Sequence, residues 1–175
     1  VLRKNNAIKE TEKLIKILSS FKKDKENDIL RDVLNKATEI ISDKIYRKKN
    51  FISKITFDDY NIKLFVDGKE MKLKNMSSGE RQIFITGFIF AIIEKSNLKL
   101  PFILDTFIGR LDKEHTENLI KYISEEVESQ IILLATNNEI GESEYKLLEN
   151  HLSNTYTLSY DNYETKVNDG FFMEE

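Results

Sequence analysis

Apolar residues recur at helical spacing through the first 45 positions: Leu14, Ile17, Leu18 and Phe21, then Leu30, Val33, Leu34, Ala37, Ile40, Ile41 and Ile45. No Gly or Pro interrupts residues 1–49. The polar stretch Lys22–Asp28 lacks apolar members, so the pattern predicts two helices or one long helix with a weak middle. This segment suits an amphipathic helix on a domain surface, or the end of a coiled-coil arm entering a globular head. The spacing is not sustained over about three or four heptads, so periodicity does not decide between them.

The pattern changes after residue 50, which divides the chain into a helical segment, 1–49, and a lobe, 50–175. Ile52, Ile55 and Phe57 precede Asp58-Asp59, and Ile62, Leu64 and Val66 alternate with polar residues up to Asp67-Gly68. Alternation at period two beside an Asp-Gly step predicts strands joined by a tight hairpin turn. A helix follows from Ser78 to Lys95. Its apolar run Ile83–Ile93, with Thr86 and Gly87 inside, reads as a helix buried on all sides. Pro101 opens the run Phe102-Ile103-Leu104 ending in Asp105, a pattern of strands buried on both faces as in a parallel sheet. A helix over 113–127 leads to a second such strand, Ile131–Ala135, which makes a βαβ unit. A short helix over Glu142–His151 and a strand around Tyr156–Ser159 complete the expected α/β lobe. Internal repeats and low-complexity segments are absent from the sequence.

Composition narrows the function classes. Lys and Arg number 27 against 30 Asp and Glu, so a nucleic-acid contact must come from a local patch rather than a global basic field. The absence of cysteine excludes disulfides and a zinc-finger site. The run Ile83–Ile93 is shorter than the roughly 20 residues of a membrane span. The first residues show no secretory signal pattern. The expectation is a cytoplasmic protein without a membrane partner.

Four segments carry chemistry. Met76-Ser77-Ser78-Gly79-Glu80-Arg81-Gln82 stands at a helix start. Alone, Ser77-x-x-Glu80 is a capping box. A helix start with a serine hydroxyl and a bare glycine is also an anion site, where free amides and the positive dipole end meet a phosphate. Asp105, at the C-terminal end of a parallel strand, sits where α/β sheets place ligands and where nucleotide hydrolases hold Mg²⁺ through water. Its bland reading is a turn residue. Gly109-Arg110-Leu111-Asp112 reads alone as a turn glycine followed by an N-cap. Ala135-Thr136-Asn137-Asn138 reads alone as a polar loop.

In this order and spacing the four segments resemble the C-terminal half of ABC ATPase heads. The resemblance covers residues 30–172. Met76-Ser77-Ser78-Gly79-Glu80 resembles the signature, Phe102-Ile103-Leu104-Asp105 the Walker B strand, Gly109-Arg110-Leu111-Asp112 the D-loop, and Thr136-Asn137 the switch. The long entering helix and the hairpin before the signature resemble the SMC and double-strand-break-repair branch. Asp105-Thr106, Gly109-Arg110-Leu111-Asp112 and the nearby His115 resemble the DNA sulfur-modification family DndD. The resemblance implies the C-terminal lobe of a P-loop NTPase head, a mostly parallel sheet flanked by helices, with ATP and Mg²⁺ as cofactors. It places Ser77, Ser78, Gly79 and Glu80 against ATP held by a second copy of the head, with Ser77 and Gly79 on the γ-phosphate. Asp105 is placed on the Mg²⁺ shell, Thr106 and Asn137 at the reacting end, and Asp112 at the dimer interface. Further implied partners are DNA and other DNA-modification proteins, with phosphorothioate modification or linked defence as the process served.

The sequence departs from the ABC pattern in telling places. Thr106 stands where a glutamate usually orients the attacking water, Asn137 where the switch histidine stands, and Phe107 where a proline is usual. A hydroxyl is no general base at neutral pH, so turnover must recruit another group, with Glu114, His115 and Glu139 as candidates. The alternative is a nucleotide-gated clamp subunit on DNA without useful hydrolysis. No G-x-x-x-x-G-K-[ST] occurs in the chain. In the ABC pattern that loop belongs to an N-terminal Walker A lobe beyond the coiled coil, so this chain alone is expected to be inactive.

Overall fold

The computed structural model describes residues 2–46, 48, 51–58, 61–96 and 99–172. One helix, α1, runs without a break over Leu2–Glu39. The polar middle does not end it, because no Gly or Pro is present and short-range pairs support it. Lys22 meets Glu26 at 3.6 Å and Arg31 meets Asp28 at 3.0 Å, each contributing a few tenths of a kcal/mol at roughly 0.2–0.5. The two halves of α1 differ sharply. Leu14, Ile15, Ile17, Leu18 and Phe21 are exposed, whereas Val33, Leu34 and Ala37 are buried in the core.

The helix then widens into a π-helical segment over Ile40–Ile45, whose Ile40, Ile41, Ser42 and Ile45 are buried. Ser42 is tolerated there because its hydroxyl donates to Ile52 O at 2.6 Å and accepts from Ile52 N at 3.1 Å. That bond pins the start of β1 (Ile52–Asp58), which pairs antiparallel with β2 (Asn61–Val66), itself paired with β3 (Lys69–Met71). Asp67 and Gly68 have φ of 48° and 75°, the turn that Asp-Gly favours in a hairpin. Asp59, half of the other turn signal, lies outside the described residues.

α2 spans Ser78–Ser96 and buries Ile83, Phe84, Gly87, Phe90 and Ala91. A Cβ on Gly87 would land on the Ile41 side chain, so glycine is what lets α2 and the end of α1 approach. The expectation of a helix buried on all sides does not hold. Ile85, Ile89 and Ile92 repeat at helical spacing on a bare face, and the long apolar run hid two faces with different fates.

β4 (Phe102–Asp105), α3 (Lys113–Glu125) and β5 (Ile131–Leu134) form the βαβ unit, with Asp105 opposite Leu134 in parallel register. These strands were expected to be buried on both faces and are not. Ile103 is 64% exposed and Ile132 41% exposed, because within this chain only one face of the pair is covered. α4 (Glu142–Leu148) continues as a short 3-10 turn, Glu149–His151. The last hairpin, β6 (Tyr156–Asp161) with β7 (Glu164–Asp169), turns on Asn162 and Tyr163 at φ 49° and 66°. The architecture is α/β, with a two-stranded parallel unit between antiparallel hairpins and helices. Among the described residues no helix is long and apolar enough to cross a membrane.

Candidate functional site

The C-terminal ends of β4 and β5 set the floor of the site. Beyond Asp105 the chain turns at Thr106, which takes φ 53°, a left-handed conformation that a β-branched residue rarely adopts. Its amide donates to Leu134 O at 3.1 Å and its hydroxyl to Asp105 Oδ1 at 3.0 Å. Thr106 thus points the Asp105 carboxylate rather than acting as a base. Asp105 itself is exposed. Among the described residues no group of three or more His, Cys, Asp or Glu is gathered as a cage. A lone exposed carboxylate with a hydroxyl beside it fits Mg²⁺, which keeps most of its waters, and does not fit a metal that needs several protein ligands.

Ser77 caps α2, and the capping box forms in full. Ser77 N donates to Glu80 Oε2 at 2.7 Å, and Glu80 N donates to the Ser77 hydroxyl at 3.2 Å. The other oxygen of Glu80 accepts the Tyr46 hydroxyl at 2.8 Å. The Ser77 amide holds the Glu80 carboxyl below its ordinary range, with further help from Tyr46 and the Ser77 hydroxyl against the cost of burial. Gly79 is placed by its own chain: a Cβ there would meet Arg110 O at 2.8 Å. Gln82, one turn on, donates through Nε2 to Thr106 O at 3.3 Å and to Phe107 O. These contacts fasten the start of α2 to the loop after β4.

That loop carries Gly109, Arg110, Leu111 and Asp112. Asp112 is the N-cap of α3, accepting His115 N at 3.0 Å, and its second oxygen meets His115 Nδ1 at 2.9 Å. The His115 ring is buried against Tyr46, with centroids 4.9 Å apart. Tyr46 also stacks on Phe51 at 4.4 Å.

The turn after β5 approaches the same loop from the other side. Glu139 Oε2 accepts from Thr136 N at 3.1 Å and from its hydroxyl at 3.3 Å. Glu139 Oε1 is buried without a hydrogen-bond partner, and it lies 2.9 Å from where a Gly109 Cβ would stand, a point 3.5 Å from Thr106 Cγ2. Asn137 is exposed in that turn. Of the three candidate auxiliary groups, the fold brings Glu139 beside Thr106. His115 is committed to Asp112, and Glu114 lies exposed in the first turn of α3.

A cleft of about 540 Å³ opens between Ser78, Arg81 and Gln82 on α2 and Thr106, Gly109 and Arg110 on the loop. Two guanidinium groups and no carboxylate line it, a lining that suits phosphate oxygens. All four segments singled out in the sequence therefore meet at one end of the lobe. Sequence reasoning missed Tyr46, which lies in no recognisable motif and matters through its bond to Glu80, 34 positions away. Gln82 stands in the first of the four segments, but its bond to the loop after β4, 24 positions on, carries no local signal.

No protein-family model matches the sequence, and no curated protein aligns with it. Solved structures do share the fold. An SMC ATPase chain, from work on ATP-driven dimerization and DNA-stimulated activation, superposes with TM-score 0.59 at 18% identity over 87% of this chain and 89% of that one. The Smc head domain of Pyrococcus furiosus, with an extended coiled coil and bound to the C-terminal domain of ScpA, gives 0.65 at 18% identity. It is matched over 90% of this chain and 40% of its own. The Smc head with coiled coil and joint of Pyrococcus yayanosii gives 0.68 at 18%, over 91% and 31%. The chain thus spans well under half of the two Pyrococcus head chains. The fold is that of the C-terminal lobe of an SMC-type ABC head, preceded by a long helix.

Proposed function

We propose that this chain is the C-terminal half of an SMC-like ABC ATPase head, completed by an N-terminal Walker A lobe and closed by a second head across ATP. The observation that carries this reading is the packing of the Ser77–Glu80 helix start against the Thr106–Asp112 loop, around a cleft holding Arg81 and Arg110. The apolar faces of α2, β4 and β5 left bare by this chain are the surface that the Walker A lobe covers.

In this reading Ser77, Ser78 and Gly79 present a helix N-terminus to the γ-phosphate held by the other head, and Glu80 keeps the Ser77 backbone in place. Asp105 holds the Mg²⁺ shell through water, oriented by Thr106. Mg²⁺ supplies charge neutralisation of the phosphates when bound. Asn137 lies at the switch, and Glu139, whose Oε1 lies beside Gly109 and close to Thr106, is the carboxylate able to accept a proton from the attacking water. Arg110, Leu111 and Asp112 face the second copy. ATP binding joins the heads, hydrolysis parts them, and the arm carries the change to DNA. The resemblance to DndD makes the work DNA phosphorothioate modification, or defence linked to it, alongside other DNA-modification proteins in the cytoplasm.

One observation favours a second reading. The Thr106 hydroxyl is spent on Asp105, and no glutamate follows Asp105. A clamp that closes on ATP and turns over too slowly to matter would look the same. Sedimentation of the protein carrying its Walker A lobe, with and without ATP, tests both readings. ATP-dependent dimers are expected, and dimers or monomers indifferent to ATP would refute the head assignment. Phosphate release then divides ATPase from clamp.

A further inference from the structure

We propose that Tyr46 is a positioning residue for the Ser77–Glu80 turn, tying the end of the arm helix to the point where the partner head's nucleotide is met. This rests on the half-head reading above and adds a residue that lies outside its four motifs.

Tyr46 directly follows the π-helical end of α1. Its amide donates to Ile41 O at 2.8 Å and closes that helical segment. Its hydroxyl donates to Glu80 Oε1 at 2.8 Å, while Glu80 Oε2 takes the Ser77 amide at 2.7 Å. The carboxylate is therefore gripped from both sides, and its position sets that of the Ser77 backbone. The Tyr46 ring has little freedom to adapt. It stacks on Phe51 within 3° of parallel, and lies at 54° to the His115 ring. His115 is in turn held by Asp112 at 2.9 Å. One side chain thus follows the π-helical end of α1, bonds to the capping box of α2 and packs on His115 in the first turn of α3, which is held in turn by the Asp112 cap.

Packing alone does not require the hydroxyl, since phenylalanine would fill the same space against Phe51 and His115. A hydroxyl aimed at a carboxylate inside a half-buried cluster fixes the angle of that carboxylate. If α1 turns or shifts, Tyr46 moves and Glu80 with it. The Ser77 amide and hydroxyl, which trade hydrogen bonds with Glu80, then leave the register in which they meet a phosphate.

The test is Tyr46→Phe in the protein carrying its Walker A lobe. Because the helix start acts on the other head's ATP, mixed pairs separate positioning from folding. One chain lacks the Walker A lysine and carries a capture tag, so each captured pair contains one composite site. With Tyr46→Phe in the tagged chain, which donates Ser77, the ATP concentration for half-maximal pairing is expected to rise about tenfold, the scale of losing a hydrogen bond to a charged group. With Tyr46→Phe in the ATP-holding chain, pairing is expected to stay as in wild type. Equal loss in both arrangements, or loss in neither, overturns the proposal. Absence of ATP-driven pairing in wild type overturns the half-head reading and the proposal together.

Discussion

The Cβ that Gly79 lacks would stand 2.8 Å from the carbonyl oxygen of Arg110. The obstacle is backbone, so it cannot swing aside as a side chain would. The glycine joins the start of α2 to the loop after β4, whether or not a phosphate ever approaches it. Gly79→Ala should therefore destabilise the chain even without nucleotide, by about 1–3 kcal/mol as for other overpacked sites. An unaffected contact would instead show the gain of roughly 1 kcal/mol that alanine brings to a helix. Urea unfolding of the two proteins gives the sign.

Glu80 sets a pH dependence. The Ser77 amide, acting with the Tyr46 hydroxyl and the Ser77 side chain, holds the Glu80 carboxyl below its reference value of 4.5. A depressed acid contributes stability that is present above the unfolded value and is lost as pH falls through the folded one. Wild type should therefore lose melting temperature below pH 4.5 more steeply than Glu80→Gln, which has no such proton to take up. Parallel melting curves from neutral pH into this range measure the difference. Equal slopes would mean that Glu80 gains nothing from its partners.

How far the fold could be read depended on how local each signal was. The Asp67-Gly68 turn, the Ser77-x-x-Glu80 box and the Asp112 cap are made by residues within a few positions, and they form as the sequence implies. The helices 78–96 and 113–125 and the strands ending at Asp105 and Leu134 fall within two residues of expectation. Strand β7 escaped notice because all six of its residues are exposed and its sequence, Glu-Thr-Lys-Val-Asn-Asp, shows no apolar alternation. The bare faces of α2 and β4 escaped for the opposite reason. An apolar run says that a surface wants cover and does not say that this chain provides it. Tyr46 was invisible because its meaning depends on Glu80, 34 residues away.

The isolated 175-residue chain should show no ATP turnover and only weak nucleotide binding. It contains no phosphate-cradling loop with its lysine, and its cleft offers two arginines open to solvent. Phosphate release by the purified chain, above a control lacking protein, would contradict the half-head assignment. Recovery of nucleotide binding on adding the Walker A lobe would support it.

Glu139 decides between ATPase and clamp. Its Oε2 is occupied by Thr136, its Oε1 is buried beside Gly109 with no partner, and Thr106 is close by. In the protein carrying both lobes, Glu139→Gln should cut phosphate release by roughly 100-fold or more, the usual worth of a general base. ATP-dependent pairing should persist, since the amide can still accept from Thr136. A variant that turns over as wild type does would reduce Glu139 to a brace between two turns.

Ser77 carries the sharpest test, because its two roles predict opposite outcomes for one substitution. As a cap, its hydroxyl accepts the Glu80 amide at 3.2 Å. Aspartate serves that purpose as well as serine, and even alanine costs only about 0.5–2 kcal/mol. The added negative charge also favours the positive end of α2. As a contact to the partner head's triphosphate, the same aspartate sets a negative charge against the γ-phosphate, at the helix start whose free amides would bind it. Ser77→Asp is therefore expected to hold or slightly raise the melting temperature while abolishing ATP-driven pairing of the heads. Sedimentation with and without ATP, run beside a melting curve, reads both effects in one preparation. Pairing as in wild type would leave Ser77 a cap and remove the most specific contact from the proposed ATP interface.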